Sequence, residues 1–357
     1  MRDIAIELMT AKRPLLIYGA GIHQAGAEKA AQAVRQISCV PMVATWGAAD
    51  LIADCGTFGT HGNKYGNLAV QNADYVLCVG SRLDTKATGH PVSSFAPKAK
   101  LVMVDIDRAE LDKMPKLGRP LHRGIQSDAL VFLDELDKEL MALAQQEESW
   151  PSFGMWREEL RAWIKEYPTP SEGPYGFVKR LSQYLTPDDV IVSDTGCSLA
   201  WMMQAYPFKG ERFVHSFNQT PMGYGLPAAI GAAFATGKRV ILITGDGGLS
   251  VNITELATLA KHRLPVKVIL FNNYGHGMCR QTQRQWMNGE FPSTSVEGGL
   301  AAPDFAAVAK AYGLKVLHTL TLGLASEGPS FYQYFPGEDW GVEGQVKFGE
   351  PLIKEAA

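Results

Sequence analysis

Short apolar runs with almost no polar interruption recur along this 357-residue chain, and amphipathic stretches separate them. Pro14–Tyr18, Val40–Ala44, Tyr75–Val79 and Leu101–Asp105 are such runs within the first 145 residues. A strand that is apolar on both faces must be buried on both, the condition of a parallel sheet covered by helices. The separating stretches supply those helices: Ala27, Ala31 and Val34 share one stripe of Ala25–Ile37, and Asp128–Ala144 is a long amphipathic segment. The alternation resumes after a stretch rich in Trp, Glu and Pro. Tyr175–Leu185 reads as a helix with Phe177, Val178, Leu181 and Leu185 inward. The strand Val190–Ser193, the helical run Pro227–Ala235, the strand Arg239–Thr244, a helix from Asn252 to His262 and the strand Val266–Phe271 follow. Asn252 is placed to cap its helix, with Glu255 as capping-box partner. The expected fold class is α/β, with two doubly wound parallel-sheet domains. Residues 1–145 form the first, 146–174 a linker with one short helix, 175–322 the second, and 323–357 an irregular tail with clustered aromatics.

Charge and cysteine usage narrow the function classes. The net charge is −3 with scattered basic residues, which offers no nucleic-acid surface. No apolar run approaches the roughly 20 residues a membrane helix needs. Five widely spaced cysteines without a CxxC read as reduced thiols of a cytoplasmic protein.

The chemistry concentrates at Gly245-Asp246-Gly247, at the end of one strand, and Asn272-Asn273, at the end of the next. Asp246 and Asn273 lie 27 positions apart, the length of one strand–helix–strand crossover. Right-handed winding therefore returns both side chains to the carboxyl edge of neighbouring strands. A carboxylate and an amide oxygen are hard ligands suited to Mg²⁺, which fills its octahedron with phosphate oxygens and water. Gly247 and Gly248 leave backbone N–H groups open to those phosphates at a helix start. The alternative is a glycine-rich turn with a casual Asn pair downstream; the one-crossover spacing speaks against it.

In these residues the chain resembles thiamine diphosphate-dependent enzymes of the acetolactate synthase type. Pro221–Ala233 (PMGYGLPAAIGAA), Ser193–Met202 (SDTGCSLAWM), Gly80–His90 and Lys100–Leu111 are similar to further segments of that family. The resemblance runs over about residues 1–320 and makes the first domain a Rossmann-like central domain. It implies that Asp246, Asn273 and the Gly275 carbonyl hold Mg²⁺. It implies that Gly196, Cys197, Ser198, Gly245, Gly247 and Gly248 bind the diphosphate. Thr220 and Met222 would present backbone groups to the aminopyrimidine, with the Met222 side chain wedging the cofactor into its bent shape. His276 and Met278, and with them Arg280 and Gln281, would face the substrate, a 2-oxo acid such as pyruvate.

The resemblance also implies a glutamate that drives the amino–imino shift of the cofactor. In the family it stands in an N-terminal pyrimidine-binding domain, and Met1 here opens on what resembles the central domain. The expectation is a catalytic subunit that pairs with a pyrimidine-binding subunit, or a homo-oligomer. Its competitors are a non-catalytic fragment that holds the cofactor weakly and, least supported, a nicotinamide dehydrogenase. Gly19, Gly21 and Gly26 follow a strand, and Asp50 lies downstream, but the spacing is not GxGxxG. Close strand–helix packing is the expected reason for these glycines. Some family members bind FAD through a segment like Arg82–Gly89; Thr85-Lys86 replaces their Asp-Arg pair and weakens the case for FAD. His23, His61 and His90 lack ligand spacing.

Overall fold

The computed structural model describes residues 1–353 apart from 147–149, 217, 321–323, 338–339, 345 and 347–349. The chain divides into two compact units, Met1–Thr169 with Gly344–Ala357, and Pro170–Glu343.

In the first unit β1 (Pro14–Tyr18), β2 (Met42–Ala44), β3 (Tyr75–Val79), β4 (Lys100–Asp105) and β5 (Arg123–Gln126) form one parallel sheet in the order β2-β1-β3-β4-β5. Helices α1 (Arg2–Thr10), α2 (Gly21–Gln24), α3 (Glu28–Ser38), α4 (Lys64–Asn72), α5 (Thr85–Thr88), α6 (Arg108–Lys116), α7 (Ala129–Ala144) and α8 (Gly154–Glu166) accompany it. Every side chain of β1 and β3 is buried, as their unbroken apolar sequence requires. The stripe Ala27, Ala31 and Val34 is buried with Phe132, Leu133 and Leu136 of α7 in one core. Asp128 caps α7, its carboxylate accepting from the N–H groups of Leu130 and Val131. The span read as linker holds α8, whose Trp156 and Leu160 join the core of this unit.

The second unit holds α9 (Gly173–Leu181), β6 (Val190–Ser193), α10 (Cys197–Ala205), β7 (Arg212–Val214), α11 (Gly225–Thr236), β8 (Val240–Gly245), α12 (Asp246–Val251), α13 (Leu256–Lys261), β9 (Val266–Phe271), α14 (Gly277–Trp286), α15 (Phe305–Ala311), β10 (Lys315–Leu317) and β11 (Ser330–Tyr334). Its six strands are all parallel, in the order β10-β11-β9-β8-β6-β7. The chain steps from β6 outward to β7 and then back past β6 to β8. Strand order therefore reverses between β6 and β8, where doubly wound sheets open a crevice at their carboxyl ends.

Two expectations are corrected. The helix expected from Asn252 to His262 is a 3₁₀ turn, Ile253–Glu255, running into α13, and Asn252 stands at the N-cap of that turn without a side-chain capping bond. Its amide instead donates to the Gly223 carbonyl at 2.7 Å, and Glu255 accepts from the Thr258 hydroxyl. The second correction concerns the stretch read as an irregular tail, in which Ser330–Tyr334 forms β11, between β9 and β10. Its aromatics serve two faces: Phe331 is in the core, while Tyr334 stacks on Phe177 of α9 with centroids 4.2 Å apart. Residues 323, 338–339, 345, 347–349 and 354–357 of that tail lie outside the described residues.

Candidate cofactor and metal site

The carboxyl ends of β6, β8 and β9 surround a cavity of about 290 Å³. Apart from Arg280 and Gln281, every residue singled out for cofactor, metal or substrate lines it: Gly196, Cys197, Ser198, Thr220, Met222, Gly245, Asp246, Gly247, Gly248, Asn273, Gly275, His276 and Met278. Thr195, Trp201, Phe271, Gly277, Cys279 and Pro336 complete the wall.

Each contribution has a local cause. Gly196 has φ +90°, a conformation L side chains rarely adopt, and it turns the chain from β6 into the start of α10. Gly245 ends β8 and passes directly into α12, so Asp246 sits in the first helical turn. The residue is 7% exposed; its Oδ1 accepts from Gly247 N–H at 2.8 Å and Oδ2 from Gly275 N–H at 2.9 Å. Burial pushes the Asp246 pKa up, against the opposing pull of those two N–H bonds and of His276 and Arg280. A Cβ on Gly247 would stand 2.5 Å from His276 Nδ1 and 2.9 Å from Met222 Cε, so two expected residues converge on one bare Cα.

The donor set fits a hard divalent cation. Among the described residues no group of three or more His, Cys, Asp or Glu could hold a metal; the oxygens at this edge are the Asp246 carboxylate, the Asn273 amide and the Gly275 carbonyl. The Asn273 amide can lie in two ways. In one, its NH₂ donates to the Gly275 carbonyl at 2.7 Å and its oxygen accepts from Arg280 Nη2 at 3.1 Å. Turned over, its oxygen lies 2.7 Å from the Gly275 oxygen and its NH₂ 3.1 Å from Arg280 Nη2, acceptor against acceptor and donor against donor.

Asp194 is the residue that motif reasoning missed. It does not line the cavity, yet its buried carboxylate accepts from Thr195 N–H (2.8 Å), Gly223 N–H (3.1 Å) and Gly225 N–H (3.1 Å). A Cβ on Gly248 would stand 2.9 Å from that carboxylate. Asp194 thus registers the Gly196 turn, the Thr220–Met222 loop and α12 against one another. An acidic residue at a strand end, just before a glycine turn, was the signal available.

Arg280 and Gln281 do not face the cavity with His276 and Met278. Arg280 is buried and donates to the Asn273 backbone carbonyl at 3.0 Å, while Gln281 bonds Val342. Burial pushes the Cys197 thiol up to about 12, so it stays protonated at neutral pH.

In the first unit the glycine-rich turn is filled. Gly21 N–H donates to the Gly80 carbonyl at 2.8 Å, and a Cβ on Gly19 would stand 2.4 Å from that oxygen. Asp50 is held by His23 Nε2 at 2.7 Å. Among the described residues no helix is long and apolar enough to cross a membrane.

Comparison with known proteins gives a consistent result. Residues 194–326 match the model of the thiamine pyrophosphate enzyme C-terminal TPP binding domain, and residues 1–136 match that of the central domain. The chain is 32% identical over 328 residues to an acetolactate synthase large subunit of Lactococcus lactis subsp. lactis, covering 88% of this chain and 54% of the relative. It is 33% identical over 316 residues to that of Parasynechococcus marenigrum, covering 85% and 49%. With the isozyme 2 large subunit of Escherichia coli it shares 32% over 320 residues, covering 87% and 56%. The chain spans about half the length of the relatives it matches.

Proposed function

The chain belongs to the thiamine pyrophosphate enzymes, and from that membership we propose that it carries the diphosphate- and metal-binding part of an acetolactate synthase-like decarboxylase or carboligase acting on a 2-oxo acid such as pyruvate. The observation that carries the reading is the convergence of Asp246, Asn273 and Gly275 on one cavity with the two glycine turns. Bound thiamine diphosphate supplies carbanion stabilisation, and the protein supplies binding, orientation and electrostatics. In this reading Asp246, the Asn273 amide oxygen and the Gly275 carbonyl hold Mg²⁺. N–H groups at the starts of α10 and α12 take the diphosphate, with help from the Ser198 hydroxyl. The Met222 side chain supports the cofactor ring, and His276 and Met278 form the wall nearest the substrate.

Among the described residues no glutamate lines the cavity. The family's glutamate would therefore come from a pyrimidine-binding domain outside this sheet, in the same polypeptide, a partner subunit or a second copy. All five cysteines are free, which suits the cytoplasm. FAD is not part of the proposal: Asp84, at the start of the corresponding segment, spends its carboxylate on the Lys86 and Ala87 N–H groups.

Calorimetric titration of thiamine diphosphate with and without Mg²⁺ tests the site. Asp246→Ala is expected to abolish Mg²⁺-dependent binding and to keep the cooperative unfolding transition of the parent. Equal binding by parent and variant would reject the assignment.

A further inference from the structure

The backbone of Gly341–Glu343 is held by side chains. The Gly341 carbonyl accepts from Trp201 Nε1 at 3.0 Å. Val342 N–H donates to Gln281 Oε1, and the Val342 carbonyl accepts from Gln281 Nε2, both at 2.9 Å. Glu343 N–H donates to the Tyr175 hydroxyl oxygen at 2.8 Å, and its carbonyl accepts from Gln204 Nε2 at 2.9 Å. The Tyr175 hydroxyl in turn donates to Gln204 Oε1 at 2.8 Å. Three consecutive residues are thus gripped from α9, α10 and α14 without a strand ladder. Val342 is buried, and a Cβ on Gly341 would stand 3.1 Å from Gln281 Oε1.

Two of the gripping helices, α10 and α14, also line the cavity. Trp201 lines the cavity with its ring while its N–H holds Gly341. Met278, another lining residue, lies three positions before Gln281, so the two share a face of α14. Arg280, between them, is buried against Asn273. Movement of α14 relative to Gly341–Glu343 would therefore displace Met278 and loosen the loop that carries Asn273.

We propose that Gln281 is a positioning residue, fastening α14 to the Val342 backbone so that Met278, Asn273 and Trp201 keep the shape of the cofactor cavity. The inference rests on the reading of that cavity as the thiamine diphosphate site. Chemistry explains the residue type: a side-chain amide accepts from an N–H and donates to a C=O at once. Leucine of similar size can do neither, and glutamate keeps only the acceptor.

The test uses the full chain as parent, Gln281→Leu and Gln281→Glu. Amide hydrogen exchange is followed for the peptide covering 340–343, and thiamine diphosphate with MgCl₂ is titrated calorimetrically. Losing two hydrogen bonds should speed exchange of the Val342 amide in Gln281→Leu by about tenfold or more. The same variant should bind the cofactor about tenfold more weakly. Gln281→Glu should keep much of the Val342 protection and lose less affinity, a graded response that general destabilisation would not give. In the parent, cofactor should slow exchange of the same peptide. Unchanged Val342 exchange in Gln281→Leu would overturn the proposal, and so would faster exchange with parental cofactor affinity. A parent that binds no cofactor would reject the site reading and the coupling with it; the exchange difference, measured without cofactor, tells this apart from failure of the Gln281 contact itself.

Discussion

At the scale of single residues, the site is a matter of what glycine leaves out. Gly247 gives the His276 ring and the Met222 methyl their place, since a Cβ there would collide with both. Gly247→Ala is therefore expected to push both side chains into the cavity and to weaken Mg²⁺–cofactor binding by about tenfold or more, an overpacking cost of roughly 1–3 kcal/mol. The same calorimetric titration checks it; parental affinity would mean that His276 and Met222 yield without consequence. Asp246, Asn273, Gly247 and Gly248 were legible because glycines, a carboxylate and an asparagine pair have few alternative uses at such spacing, whereas the other expected lining residues came only from the family resemblance. Asp194 was not legible as the hub of three loops, because its partners Gly223 and Gly225 are about 30 positions away and contribute only backbone N–H groups. Arg280 and Gln281 share a helix with Met278, and only the surrounding loops decide which of them meets the cavity.

At the scale of elements, the long apolar strands declared themselves and the short ones did not. β1, β3, β6 and β9 coincide with their apolar runs, whereas β7 and β10 have three residues each and β11 mixes Ser and Gln with aromatics. What fixes the approach to β11 is a cation inside the sheet. Lys267 of β9 is 3% exposed, and its ammonium donates to the Ser326 and Gly328 carbonyls. Burial pushes its pKa down to about 8, with help from the Arg239 and Lys315 charges. A lysine depressed in the folded state binds its proton better when unfolded. It therefore adds stability above the ordinary lysine pKa of about 10.4 and withdraws it as pH falls through about 8. The stability of the parent relative to Lys267→Met should rise between pH 7.5 and 10, by on the order of 1 kcal/mol. Urea unfolding of the pair at several pH values measures this, and a flat difference would show that the Lys267 hydrogen bonds cancel its burial.

At the scale of the whole molecule, two sheets of similar winding have different fates at their carboxyl edges. The second keeps a cavity where its order reverses; in the first, the corresponding glycine turn is packed against Gly80 and Ser81. Titration of NADH against the full chain should therefore give no saturable change in nicotinamide fluorescence, because Gly19 and Gly21 make their close approach to Gly80 and Ser81 and not to a pyrophosphate. Saturation at micromolar concentration, reversed by NAD, would contradict this. The doubly wound class could be read from the sequence because both sheets obey one pattern. Which crevice stays open could not, since it depends on contacts between loops some 60 positions apart, such as Gly19 and Gly80.

The place of β11 has a consequence for how the protein is made. β9 is flanked by β8 and β11, so one of its edges waits for a segment that ends 63 positions later (334 − 271). At translation rates of about 5–20 residues per second, that edge stays unsatisfied for about 3–13 s while the polypeptide is still being synthesised. An apolar strand with bare amide and carbonyl groups is a template for pairing with a neighbouring nascent chain. The interval between β9 and β11 is therefore when this protein most needs a chaperone, and a ribosome that stalls before Ser330 would release a product with an exposed sheet edge and a strong tendency to aggregate.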